Sequence, residues 1–160
     1  MGYRAVSIYC SQLVQKADLQ STDGADLEHV AVDETVIQLN DEQFWLYAAV
    51  DPETNRLLHM TFSPTRKQAI TEMFLAGLKE KHLVGDALFL VDSAPWLQAA
   101  LHRHGLDYRY EKHGNWNSVE RVFQELKYRT NQFSNCFSHA AADTVENWLR
   151  AFAFAWNQLI

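Results

Sequence analysis

Val30-Ala31-Val32-Asp33-Glu34-Thr35 opens a run through Leu39 that is rich in β-branched residues yet interrupted by two acids. Branched side chains suit a pleated, half-buried surface, so Val30 to Leu39 reads as a strand. Asn40-Asp41-Glu42 supplies a turn and Phe44 to Val50 a second strand. Asp51-Pro52-Glu53-Thr54-Asn55 turns the chain again, and Arg56 to Phe62 makes a third strand. Connections this short imply an antiparallel meander.

The period then changes. Pro64 suits a helix start, and Ile70, Phe74, Leu75 and Leu78 mark an amphipathic helix ending near His82. Ala87 to Val91 is a short, continuously apolar run, as expected of a strand buried on both faces. Pro95 to His104 reads as a helix stopped by Gly105, and Asp107 to Glu111 as a fifth strand. Helices follow over Ser118 to about Gln132 and Ala140 to Gln158, the second with a Trp148, Phe152, Trp156 core stripe. Upstream, Val6, Tyr9, Cys10, Leu13 and Val14 suggest a short helix, and Gln20 to Glu28 a polar linker. The order βββαβαβα, hairpins first and crossovers after, is that of an RNase H-like α/β fold, with a mixed five-stranded sheet flanked by helices; periodicity alone leaves it one of several α/β or α+β options. Residues 1–27 are then a residual N-terminal helix and linker, and 28–160 one domain.

Composition narrows the function classes. Hydrophobic residues make up 48% of 160, enough for a core without covalent staples. Cys10 and Cys136 lie far apart and outside any CxxC or Cys/His cluster, which fits a reducing cytoplasm. No stretch approaches the ~20 apolar residues of a membrane span. Net charge is −6, unlike a strongly basic nucleic-acid binder. The charge is uneven, however: residues 18–53 carry ten acidic and no Lys or Arg side chains, whereas 103–129 carry six basic against four acidic.

Three acids stand out by position. Asp33 interrupts a buried strand, which is costly unless the group is paired or metal-bound. Asp92 follows Ala87–Val91 directly, at the carboxyl end of a strand where ligands of α/β sheets gather. Glu120 falls in the first turn of the helix opening near Asn117-Ser118. Strands one and four are neighbours in the expected sheet, which sets Asp33 beside Asp92 with Glu120 brought across by its helix. Clustered carboxylates repel one another, and magnesium, with hard oxygen ligands at about 2.0–2.1 Å, reverses that repulsion. Two ions about 3.5–4 Å apart can serve phosphodiester transfer. Asp33 is expected to bridge them, with Asp92 and Glu120 each completing one site. Glu34 should point to the opposite face of the strand.

The segments Val32-Asp33-Glu34-Thr35, Tyr47-Ala48-Ala49-Val50-Asp51, Leu90-Val91-Asp92-Ser93-Ala94-Pro95-Trp96 and His113-Gly114-Asn115 through Asn117-Ser118-Val119-Glu120 to Lys127 carry a family resemblance. The chain resembles DDE-type insertion-sequence transposases with an integrase core, nearest the insertion-sequence-six group and its haloarchaeal relatives. The resemblance implies the Asp33/Asp92/Glu120 triad as catalytic and metal-binding, with two Mg2+ or Mn2+ ions. Its implied partners are DNA, as element ends and target, and a homodimer or higher oligomer. It implies a prokaryotic cytoplasmic, nucleoid-associated location and no membrane. It also singles out Lys127: seven residues at roughly 100° each come within about 20° of two full turns, so Lys127 shares a helix face with Glu120 and can meet a phosphate. Arg121, Asn117 and Trp116 are further candidate DNA contacts, although Trp116, Gln124 and Tyr128 stand where basic residues are expected. For Trp116 a packed or partly exposed loop aromatic is the favoured reading over stacking on a base.

Such relatives usually carry an N-terminal helix-turn-helix. Here Tyr3 to Lys16 resembles at most its last helix, so a truncated copy is expected. Two alternatives stay open at this point: an inactive relic acting as a DNA-binding or self-association module, and another RNase H-like nuclease.

Overall fold

The computed structural model describes residues 26–39, 42–114, 116–132 and 142–159. The expected N-terminal helix, most of the linker and both cysteines lie outside them. Strand β1 (His29–Leu39) is central, antiparallel to β2 (Glu42–Val50), which pairs antiparallel with β3 (Leu57–Ser63). On its other side β1 runs parallel to β4 (Leu88–Val91), which is parallel to β5 (Tyr108–Tyr110). The sheet order is therefore β3-β2-β1-β4-β5. Helices α1 (Gln68–Lys81), α2 (Pro95–Arg103), α3 (Asn117–Gln132) and α4 (Ala142–Leu159) complete the described elements.

Alternation along the strands makes two cores. Val30, Val32, Tyr47, Ala49, Phe89 and Val91 pack with Phe74 and Leu78 of α1 and Leu97 and Leu101 of α2. Ala31, Ile37, Leu46, Ala48 and Leu90 face Val119, Val122 and Leu126 of α3 and Leu149 and Phe152 of α4. Burial on both faces explains the nearly unbroken apolar run of β4. The α4 stripe is core, with Phe152 stacked on Trp148 at 5.7 Å between ring centres and Trp156 at 6.1 Å. Asn157 clamps the sheet edge: its Oδ1 accepts from Leu57 N–H and its Nδ2 donates to Leu57 C=O, each at 2.8 Å.

Helix α1 begins four residues later than Pro64 suggests. Ser63 Oγ bonds both the N–H and the carbonyl of Thr65, and Lys67 is extended. The segment leads Arg66 to a 2.6 Å ion pair with Glu34. A long-range pair thus overrides the local proline signal. At α2 the local signals hold, with Pro95 in the first helical turn and Gly105 at φ +65° beyond its end. Strand β5 is shorter than expected, and all three of its residues are exposed at the sheet edge.

Candidate active site

Asp33 and Asp92 are brought level by strand register. His29, Val30 and Ala31 pair with Leu88, Phe89 and Leu90 at a constant offset of 59 positions, and Asp92 stands the same 59 positions after Asp33. The paired ladder stops at Ala31 and Leu90, and the two acids lie two positions beyond it on neighbouring strands, near enough for the charge of Asp92 to act on Asp33. Asp92 is oriented locally: its Oδ1 accepts from Ala94 N–H at 2.9 Å, and its carbonyl accepts from Gln98 Nε2 at 3.2 Å.

Asp33 lies on the side of β1 that bears Ala31 and Ile37, the side covered by α3. Gly114, at φ +88°, turns the chain into that helix, and Asn117 N–H reaches Gly114 C=O at 3.0 Å. Glu120 then falls in the first turn of α3 and is exposed. An acid there is favoured by the helix dipole.

The electrostatics tie the three together. The Asp33 carboxyl is pushed up to about 7, chiefly by burial. The charges of Asp92, Glu34 and Glu120 add to that rise, and a backbone hydrogen bond from Glu34 opposes it. The three carboxylates do not all offer oxygens within 4.8 Å of one another. Among the described residues only Glu28, His29 and Glu53 do so, an open group about four strand residues from Asp33. The donor set itself fits a hard divalent cation: oxygen ligands only, focused on a half-buried Asp whose charged form its neighbours disfavour.

The remaining candidates are scattered around α3. Arg121 and Lys127 are exposed, Asn117 is half-buried, and Glu120, Gln124 and Lys127 mark one solvent-facing stripe. Trp116 packs against the core beneath α3, with its Nε1 buried. That matches the packed-loop reading. Of the histidines, His104 bonds Glu72 at 2.7 Å, with Arg103 on the same carboxylate at 3.2 Å.

Residues 28–147 match the family model of the IS240 transposase DDE domain. The chain belongs to the DDE-domain transposase family. A relative in Methanocaldococcus jannaschii, the uncharacterized protein MJ0017, is 30% identical over 158 residues, which are 98% of this chain and 72% of that one. Solved structures share the fold. The HTLV-2 integrase catalytic core with magnesium superposes with a TM-score of 0.57 at 12% identity, over 81% of this chain and 85% of that one. The Mos1 mariner transposase catalytic domain gives 0.54 at 15%, over 99% and 89%. A chain of the simian T-cell lymphotropic virus intasome gives 0.60 at 14%, over 83% of this chain. This chain spans 48% of that chain's length. The fold is thus the RNase H-like core of integrases and transposases. No helix among the described residues is long and apolar enough to cross a membrane.

Sequence reading missed what surrounds Glu34. Its carboxylate holds Arg66 at 2.6 Å and accepts from Trp96 Nε1 at 3.3 Å, and the Arg66 guanidinium carbon sits 3.6 Å over the Trp96 ring. The available signal was an acid on the Val32 side of a strand buried on both faces, which requires a partner.

Proposed function

We propose that this chain is the catalytic domain of a transposase, spanning residues 28–160, that cuts and joins DNA strands with a divalent ion held by Asp33, Asp92 and Glu120. What supports the reading is a half-buried Asp33 whose carboxyl feels the charges of Asp92 and Glu120, in a chain of this family. The HTLV-2 core with magnesium, and Mos1 domains with manganese or magnesium, support Mg2+ or Mn2+ as the ion.

A bound divalent ion supplies positive charge and Lewis acidity toward phosphate oxygens. The protein's part is to hold its carboxylates ready. Asp33 is fixed by the central strand, and Asp92 by the hydrogen bonds that start α2. Glu120 is carried by the exposed first turn of α3, near enough for its charge to act on Asp33. Asp33, Asp92 and Glu120 would hold one or two such ions between them, whose charge would offset the repulsion of the acids. Lys127, on the Glu120 stripe, is assigned to a DNA phosphate, with Arg121 and Asn117 beside it. Trp116 is assigned to shaping the loop before α3. Element ends and target DNA are the proposed partners, acted on by two copies held together, in the cytoplasm.

The test is purified protein with Mg2+ or Mn2+ on DNA carrying the element's ends. Nicking and end joining are expected, and Asp33→Asn should abolish both. Retention of full activity by Asp33→Asn, or cleavage confined to RNA–DNA hybrid or four-way junction, would overturn the reading.

A further inference from the structure

The backbone ladder between β1 and β4 ends at Ala31 and Leu90, two residues short of Asp33 and Asp92. Beyond that point regular strand pairing no longer fixes how far apart the two chains lie. A side-chain link takes over on the opposite face of the sheet. Glu34, next to Asp33, receives Trp96 Nε1 from the first turn of α2 and Arg66 from the segment ahead of α1. Arg66 stacks on the same Trp96 ring, so each of the three groups touches the other two. We propose that Glu34, Arg66 and Trp96 form a positioning clamp that sets the separation of Asp33 and Asp92.

The connection is short at both ends. Glu34 and Asp33 are consecutive in one strand, so their side chains are fixed relative to each other by the pleat. Trp96 and Asp92 are four residues apart, joined by a tight start to α2. Asp92 Oδ1 accepts from Ala94 N–H, Gln98 Nε2 donates to Asp92 C=O, and Gln98 N–H donates to Ala94 C=O at 3.2 Å. A shift of Trp96 relative to Glu34 therefore shifts Asp92 relative to Asp33.

The residue types suit the task. Glu34 is 14% exposed at its side chain, so its ion pair with Arg66 is partly shielded from water. Arginine offers a planar fork that can pair with a carboxylate and stack on a ring together, which lysine cannot. Tryptophan supplies both that ring and an N–H donor.

This inference rests on the carboxylates binding a divalent ion, and its test reads the ion rather than turnover. Mn2+ affinity would be measured by calorimetry, well below each variant's Tm, for the wild type, Asp33→Asn, Trp96→Phe, Glu34→Gln, Arg66→Met, Arg66→Lys and the Glu34→Gln/Arg66→Met double variant. Removing a supporting partner of a metal ligand typically weakens affinity 10–100-fold. Trp96→Phe, Glu34→Gln and Arg66→Met are each expected to lose about tenfold or more. Arg66→Lys should recover part of that loss, and the double variant should lose no more than the worse single one. A purely structural role would lower Tm and leave the affinity of the folded protein unchanged, which overturns the clamp. If Glu34→Gln does not fold, Trp96→Phe decides alone, because it removes the N–H donor while keeping a smaller aromatic face for Arg66. Mn2+ uptake by the wild type, its loss in Asp33→Asn and wild-type affinity in every clamp variant would overturn the clamp alone. Absence of uptake by the wild type, with and without DNA, would overturn the functional reading and the clamp together.

Discussion

Asp33 faces Ala48 directly across the β1–β2 ladder, and Ala48 is wholly buried. Opposed residues in such a pair have Cβ atoms about 4.5–5.5 Å apart, so the small methyl leaves space beside the carboxylate under α3. Ala48→Leu should fill it. The expected result is a loss of about 1–3 kcal/mol from overpacking, seen as a lower urea midpoint, together with weaker Mn2+ binding. A leucine that left Mn2+ affinity intact would show that the space plays no part in the site.

The pH dependence of stability has a definite sign. The Asp33 carboxyl rises from 3.8 to about 7 on folding, mainly through burial. The folded state therefore holds this proton more tightly than the unfolded chain, and stability falls as pH climbs from about 4 to 7. At about 1.4 kcal/mol per pH unit the effect is capped near 4 kcal/mol, and partial solvent access screens some of that. Asp33→Asn should melt with the wild type at pH 4 and several degrees above it at pH 8. Mg2+ should raise the wild-type Tm more at pH 8 than at pH 5. His59 acts oppositely: its ring falls from 6.5 to about 4, again mainly through burial, and the stability it contributes is lost as pH drops through that window. The two slopes offset each other in the wild type, so Asp33→Asn should expose the His59 slope as steadily rising stability from pH 4.5 to 6.5. Thermal melts across that range read it directly.

His59 also explains a glycine inside α1. A Cβ on Gly77 would lie 2.8 Å from His59 Nε2 and 3.2 Å from Cε1. The ring has little room to yield, being stacked on Phe74 at 5.3 Å and lying 3.3 Å from Lys81 Nζ. Alanine in a helix gains about 1 kcal/mol over glycine, while a forced contact in a packed site costs about 1–3. Gly77→Ala should therefore destabilise the protein slightly, and stabilise it in a His59→Ala background. A double-mutant cycle by urea unfolding measures the change of sign.

The strands, and the position of Asp92 just past the end of β4, were legible in the sequence because both follow from local pattern. Branched residues and short turns make the meander, and an acid closing an apolar run marks a strand end. The start of α1 was not, because Pro64 is a local signal while Glu34 reaches Arg66 from 32 positions away. Trp96 reads as an ordinary aromatic until Glu34 is seen across from its N–H. The asymmetry is physical: periodicity reports which face of an element is buried, whereas a polar side chain's partner depends on how finished elements meet.

Asn157 is such a partner, 100 positions from Leu57. It supplies to the edge strand β3 the donor and acceptor that another strand would supply, both at 2.8 Å, and Leu57 is only 4% exposed. Asn157→Ala leaves a buried N–H and C=O without that amide, at about 1–3 kcal/mol for each such group. Asn157→Asp keeps the acceptor and removes the donor, so it should cost less than alanine if the acceptor matters more than the new charge. Both variants also uncover a strand edge able to pair with another chain. The expected outcome for Asn157→Ala is an unfolding free energy in urea lowered by about 2 kcal/mol or more, with concentration-dependent self-association in sedimentation. Stability within about 0.5 kcal/mol of the wild type would show that α4 holds the edge through Trp156 and its apolar face alone.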